Sequence, residues 1–158
     1  MTSFGVKICG APFAYSKLCN MTTHVDTELQ YDKYFLACVR IDLSNLRYGG
    51  SSDSKEKEKK VEIFRQLLEI DVNDTFRKEP RNFIDAVINK DAFEKLRLDY
   101  SRQYFGTCSQ IPAASSPIRA CDIEICYGDG YSRIQAAKDC IQYDNQWWIV
   151  NLYDQGKC

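Results

Sequence analysis

The stretch Ile118–Tyr153, IRACDIEICYGDGYSRIQAAKDCIQYDNQWWIVNLY, reads as three antiparallel strands joined by two tight turns. Asp129-Gly130 lies between two runs of β-branched and aromatic residues, and this dipeptide readily takes the positive φ angles of a two-residue hairpin turn. Counting outward from that turn sets Ile125 opposite Ile134 and Ile123 opposite Ala136, with Glu124 opposite Gln135 and Cys126 opposite Arg133. One face is then apolar and the other polar, a separation that a three-residue loop would scramble. A second turn at Asp144-Asn145 adds Trp147, Ile149 and Tyr153 to the face of Ala136 and Cys140, and sends Trp148, Val150 and Leu152 to the face of Ile141 and Tyr143. The expectation is a three-stranded antiparallel meander whose last strand is apolar on both sides.

A strand with two apolar faces is covered on both, by helices on one side and by another segment or a partner on the other. The N-terminal fifty residues are one candidate cover. The alternative is a binding surface made of Tyr131, Arg133, Ile141, Tyr143, Trp148 and Val150, since aromatic clusters beside an arginine favour recognition.

Upstream, Phe4–Cys9 reads as a short edge strand stopped by Gly10-Ala11-Pro12, a fourth strand for the sheet. In the stretch 27–46, Tyr31, Tyr34, Phe35, Cys38 and Val39 make a helical stripe with Asp26 or Thr27 as N-cap, although Val-Arg-Ile-Asp-Leu after position 38 alternates as a strand would. Gly49-Gly50-Ser51-Ser52-Asp53-Ser54 is a flexible loop, spanning roughly positions 48–54, inside one domain of residues 1–158. Beyond it Val61, Ile63, Phe64, Leu67, Leu68 and Ile70 recur at helical spacing, and the mixed-sign run Lys55–Lys60 reads as that helix's solvated first turns. Pro80 suits the first turn of a further helix with Phe83, Ile84, Val87 and Ile88. Asp91 with Glu94 reads as a capping box for the next one, burying Phe93, Leu96, Tyr100 and Tyr104 before Gly106. The predicted architecture is therefore α+β, with N-terminal and central helices packed on a small C-terminal antiparallel sheet.

A chain of 158 residues suits one domain, and such a domain buries roughly two thirds of its unfolded surface. Its net charge of -1 creates no global field for nucleic acid or an anionic membrane. No apolar run is long enough to span a bilayer. The cysteines Cys9, Cys19, Cys38, Cys108, Cys121, Cys126, Cys140 and Cys158 are even in number and scattered, which suggests a disulfide framework in place of a zinc site with close pairs. That framework implies an extracellular or periplasmic protein whose export signal has been removed and replaced by Met1; reduced thiols in the cytoplasm are the alternative.

Catalytic signals are sparse. His24 is the single histidine, so any Ser-His or Cys-His nucleophile and any histidine-rich metal site would depend on it. No phosphate-binding glycine loop, nucleophile elbow or dinucleotide fingerprint occurs. Asp122, Glu124 and Asp139 share the polar sheet face in the predicted register, where paired carboxylates can do acid and base work or bind calcium. The closing segment YDNQWWIVNLY resembles the turn and tryptophan-rich last strand of the cone-shaped folds typified by nuclear transport factor two; that family has a larger sheet than the three or four strands counted here, and membership is not assigned.

These readings lead to a non-enzymatic protein, without cofactor or metal, that binds another macromolecule, of the inhibitor, immunity-protein or effector type. The competing expectation is a ligand pocket between helices and sheet with carboxylate chemistry. A protein partner is expected and nucleic acid is not.

Overall fold

The computed structural model describes residues 33–50, 55–108 and 110–156. The expected N-terminal strand, His24, Cys9, Cys19 and Cys158 lie outside these residues.

The architecture is α+β, but the sheet is six-stranded and mixed instead of a three-stranded antiparallel meander. The strands are β1 (Phe35–Asp42), β2 (Leu46–Tyr48), β3 (Ile84–Ile88), β4 (Phe105–Gly106), β5 (Ile125–Tyr127) and β6 (Trp147–Asp154), in the order β2-β5-β3-β6-β1-β4. β3 runs parallel to β6 and β2 parallel to β5, while β1 is antiparallel to both β6 and β4, and β3 to β5. Among the described residues four α-helices complete it: α1 (Lys55–Glu69), α2 (Thr75–Lys78), α3 (Lys90–Asp99) and α4 (Tyr131–Cys140).

The meander fails at its middle strand. Tyr131–Cys140 is helix α4, and Gly130, at φ 110°, is its N-cap residue instead of half of a hairpin turn. None of the cross-strand pairs counted from Asp129-Gly130 forms, because their second members lie on α4 and β5 pairs with β2 and β3 instead. The physical reason lies in the spacing: Ile134 and Ala137 are buried at a helical interval, and Gln135, Ala136 and Lys138 beside them are good helix formers. Two alternating apolar positions were too short a sample to separate period 2 from period 3.6.

Two expected helices are strands. Phe35–Asp42 follows the alternation of Val-Arg-Ile-Asp and not the helical stripe: Ala37, Val39 and Ile41 join the main core, while Cys38, Arg40 and Asp42 point to the opposite side of the sheet. Pro80 does start a helical turn, but only the 3-10 turn Pro80–Asn82, after which Ile84–Ile88 becomes β3 between β5 and β6. A strand so enclosed is buried on both faces and loses its alternation, so its sequence is indistinguishable from a short apolar helix. α3 is a helix as its pattern indicates, yet its cap is Asn89, whose side chain accepts from the amides of Asp91 and Ala92, and it stops at Asp99 with Tyr100 outside.

α1 and α4 pack together across one sheet face, and there Leu68, Ile134, Ala136 and Ala137 meet Val39, Ile84, Ile125, Trp148, Val150 and Leu152. The other face carries Cys38, Phe83, Trp147 and Ile149, with Phe35 packed against them. Both sides of β6 are thereby buried. Trp147 has two guanidinium neighbours: the central carbons of Arg77 and Arg40 lie 3.7 and 4.3 Å from its ring centroid.

Candidate functional site

Gly128-Asp129-Gly130 turns the chain from β5 into α4, and around this turn lies a cavity of about 440 Å³. A side chain at Gly130 would meet Ile84 Cδ1 at 3.0 Å and the Arg133 guanidinium at 3.3 Å, in a backbone conformation that already disfavours one. One wall is aromatic. Tyr48 ends β2 and lies with its ring centroid 4.8 Å from that of Tyr131, on the first turn of α4, and 5.4 Å from that of Tyr127. The other wall is α1, which contributes Lys57, Lys60, Ile63 and Phe64.

Cations gather here for identifiable reasons. Lys57 donates to the Tyr48 hydroxyl at 2.6 Å and lies 4.8 Å over the Tyr48 ring and 5.6 Å over that of Tyr131. Lys60 follows at three residues, on the same side of α1. Arg133 reaches across from α4 and donates to the Asn82 carbonyl at 3.1 Å, an oxygen that also accepts the Trp148 indole N–H at 2.8 Å. Ser132 donates to the Lys57 carbonyl at 3.4 Å and so ties the two helices at the cavity floor. Among the described lining residues Asp129 is the one carboxylate beside three cationic side chains, and this excess of positive charge suits an anionic group.

The six residues of the sequence-derived binding surface do not form one face. Tyr131 and Arg133 line the cavity. Trp148 and Val150 are completely buried beneath the helices, Ile141 packs partly into the same core, and Tyr143 stands 81% exposed in the turn before β6. Tyr48, Lys57, Lys60 and Asn82 were not singled out in the sequence. The available signal was a Gly-Asp-Gly turn followed by a helix, which reads equally well as a hairpin until tertiary packing decides.

The carboxylates also separate. Asp139 is on α4, hydrogen-bonded by Gln135. Glu124 pairs with Arg47, and Asp122 occupies a turn at φ 59°. Asp122 and Glu124 line a second, open concavity of about 620 Å³ with Asn45 and Asn89, and both are solvent-exposed. Among the described residues no group of three His, Cys, Asp or Glu side chains is placed to hold a metal ion, and no helix is long and apolar enough to cross a membrane.

Two acid groups do depart from their ordinary range. Burial opposes ionisation of Asp42, but hydrogen bonds from Ser44 and Arg119 outweigh it and hold the carboxyl below the usual aspartate value. Burial, reinforced by the Asp129 charge, pushes Asp85 above it in spite of Asn151 and Arg133. Cys38, Cys108, Cys121 and Cys140 are reduced thiols, and burial, with Cys108 close by, raises Cys38 to about 12.

No curated protein and no solved structure matches the chain. Residues 34–157 match the family described as "Protein of unknown function (DUF3723) N-terminal domain", and the chain belongs to that family.

Proposed function

We propose that this domain is a non-enzymatic binding module that recognises another macromolecule by an anionic group seated between α1 and α4. The observation that carries the reading is the electropositive, tyrosine-walled cavity of Tyr48, Lys57, Lys60, Tyr131 and Arg133. Its volume of about 440 Å³ is within the range of ligand sites, roughly 300–1,000 Å³. Among the described lining residues the cations Lys57, Lys60 and Arg133 outnumber the carboxylate Asp129, which favours holding an anionic ligand. Ile63, 56% exposed, extends the rim along α1 toward Leu67 and Ile70, so a polypeptide partner with an acidic side chain could rest apolar groups beside the charged contact.

Poly-L-glutamate is a direct probe for the full chain. Amide shifts in two-dimensional NMR are expected to concentrate at Gly128–Arg133 and around Lys57–Ile63. The double charge reversal Lys60→Glu with Arg133→Glu is expected to weaken binding at least tenfold while the rest of the spectrum is retained. Shifts spread evenly over the surface, or an unaltered affinity in the double variant, would remove the site. Preferential binding of a single-stranded oligonucleotide would replace the protein partner by a nucleic acid.

Placement outside the cytosol belongs to the same proposal and is supported by the eight cysteines. Alkylation in denaturant without reductant, read by intact mass, is expected to add at least four groups, at Cys38, Cys108, Cys121 and Cys140. Eight would remove the support that a disulfide framework lends to export.

A further inference from the structure

Asp85 and Asn151 stand opposite each other on the parallel strands β3 and β6, on the sheet face away from α1 and α4. The Asn151 amide donates from Nδ2 to Asp85 Oδ1 at 3.1 Å. Its own Oδ1 is buried and has no hydrogen-bond partner among the described residues, an arrangement that costs stability unless a donor is supplied. An ionised carboxylate cannot supply one, because it only accepts. A carboxylic acid can: one oxygen accepts from the amide N–H while the other donates to the amide oxygen, so the two head groups satisfy each other.

The charged surroundings of Asp85 lead back to the cavity. Cys126 of β5 and Phe83 and Val87 of β3 share its face and bring no charge, and Cys38, opposite Asn151 on β1, is a buried thiol. Among the described residues the charges that act on it are Asp129 and Arg133, and both line the cavity.

We infer that Asp85 is held as a neutral carboxylic acid paired head to head with the Asn151 amide, and that its proton is coupled through Arg133 and Asp129 to occupation of the cavity. The second half rests on the anion-binding reading above. An anion beside Arg133 offsets the cation that favours ionised Asp85 and adds to the negative charge of Asp129, so binding stabilises the protonated form. By linkage, binding takes up a proton at Asp85, and affinity for an anion of constant charge rises as pH falls through the Asp85 titration.

The sign for stability is the same. A carboxyl whose folded value is raised binds more protons in the native than in the unfolded chain, so stability falls as pH rises from the ordinary aspartate value to the raised one. Asp85→Asn should flatten this decline, since two amides can exchange the same pair of hydrogen bonds without a titrating proton.

The test follows the Asp85 carboxyl carbon by NMR in the full chain, with and without inorganic sulfate, whose charge is constant over the range. Without sulfate, Asp85 is expected to titrate above the exposed aspartates, and Tm is expected to lose its dependence on pH over that interval in Asp85→Asn. Titration together with the exposed aspartates overturns the pairing. With saturating sulfate the midpoint is expected to move further up. Sulfate that shifts the Gly128–Arg133 amides and leaves the midpoint in place overturns the coupling alone; sulfate that shifts neither overturns the cavity reading and the coupling with it, while a raised midpoint would still establish the pair.

Discussion

Trp148→Ala is expected to destabilise the domain by about 4–5 kcal/mol, the upper part of the range for removing a buried aromatic side chain. Trp148 is fully buried in the helix-covered core. Its ring meets Phe76 edge-on at 6.3 Å between centroids, and its indole N–H donates to the Asn82 carbonyl at 2.8 Å. The cavity left under α1 cannot collapse easily, because β6 is fixed by ladders to β3 and β1. Domains of this kind are stable by roughly 5–15 kcal/mol in total, so the variant should be at or close to unfolding at room temperature. Urea denaturation monitored by far-UV circular dichroism checks it. An unfolding free energy within about 1 kcal/mol of the parent's would mean that this tryptophan is not in the core. The same change cannot report on partner binding, since the fold is lost first.

Arg77→Ala should also be costly, at about 2–4 kcal/mol, since hydrogen bonds from a charged donor contribute roughly 1.5–3 kcal/mol while Asp74, its side chain 37% exposed, is left partly solvated. Arg77 is 1% exposed. It donates to the carbonyls of Asn145 at 3.0 Å and Trp147 at 2.8 Å, pairs with Asp74 at 2.7 Å, and lies flat enough on Trp147 to bring its central carbon within 3.7 Å of the ring centroid. Alanine strips the donor from all three oxygens and exposes one side of the indole. Arg77→Lys is expected to recover less than half of the loss, because an ammonium group is not planar and cannot stack and serve three acceptors together. Equal stability of the lysine variant and the parent, measured by urea denaturation, would show that charge alone matters here. Burial pulls the arginine below its ordinary value in spite of Asp74, but the free guanidinium value is so high that it stays charged at every pH in which the fold is studied.

Parts of this structure could be read directly from the chain. The spacing of Val61, Phe64 and Leu68 gave α1 its inward side, and the apolar run Trp147–Val150 marked a strand buried on both faces. Other parts could not. Ile84–Ile88 is a five-residue strand with a nearly uninterrupted apolar pattern, and nothing within it separates strand from helix; its state depends on β5 and β6, which come about forty and sixty residues later in the sequence. The cavity was harder still. Tyr48, Lys57, Asn82 and Arg133 come from four separate elements, and each one alone is an ordinary surface or turn residue.

The sequence by itself determined the α+β class, the position of α1, a last strand with two apolar faces and the scarcity of histidine-based chemistry, because these depend on composition and on local periodicity within ten to fifteen residues. Tertiary structure alone decided that Gly130 starts a helix, that β3 lies between β5 and β6, and that three cations converge beside two tyrosines. Each of these outcomes is a competition between local alternatives of nearly equal energy, and it is settled by burial against segments distant in the chain.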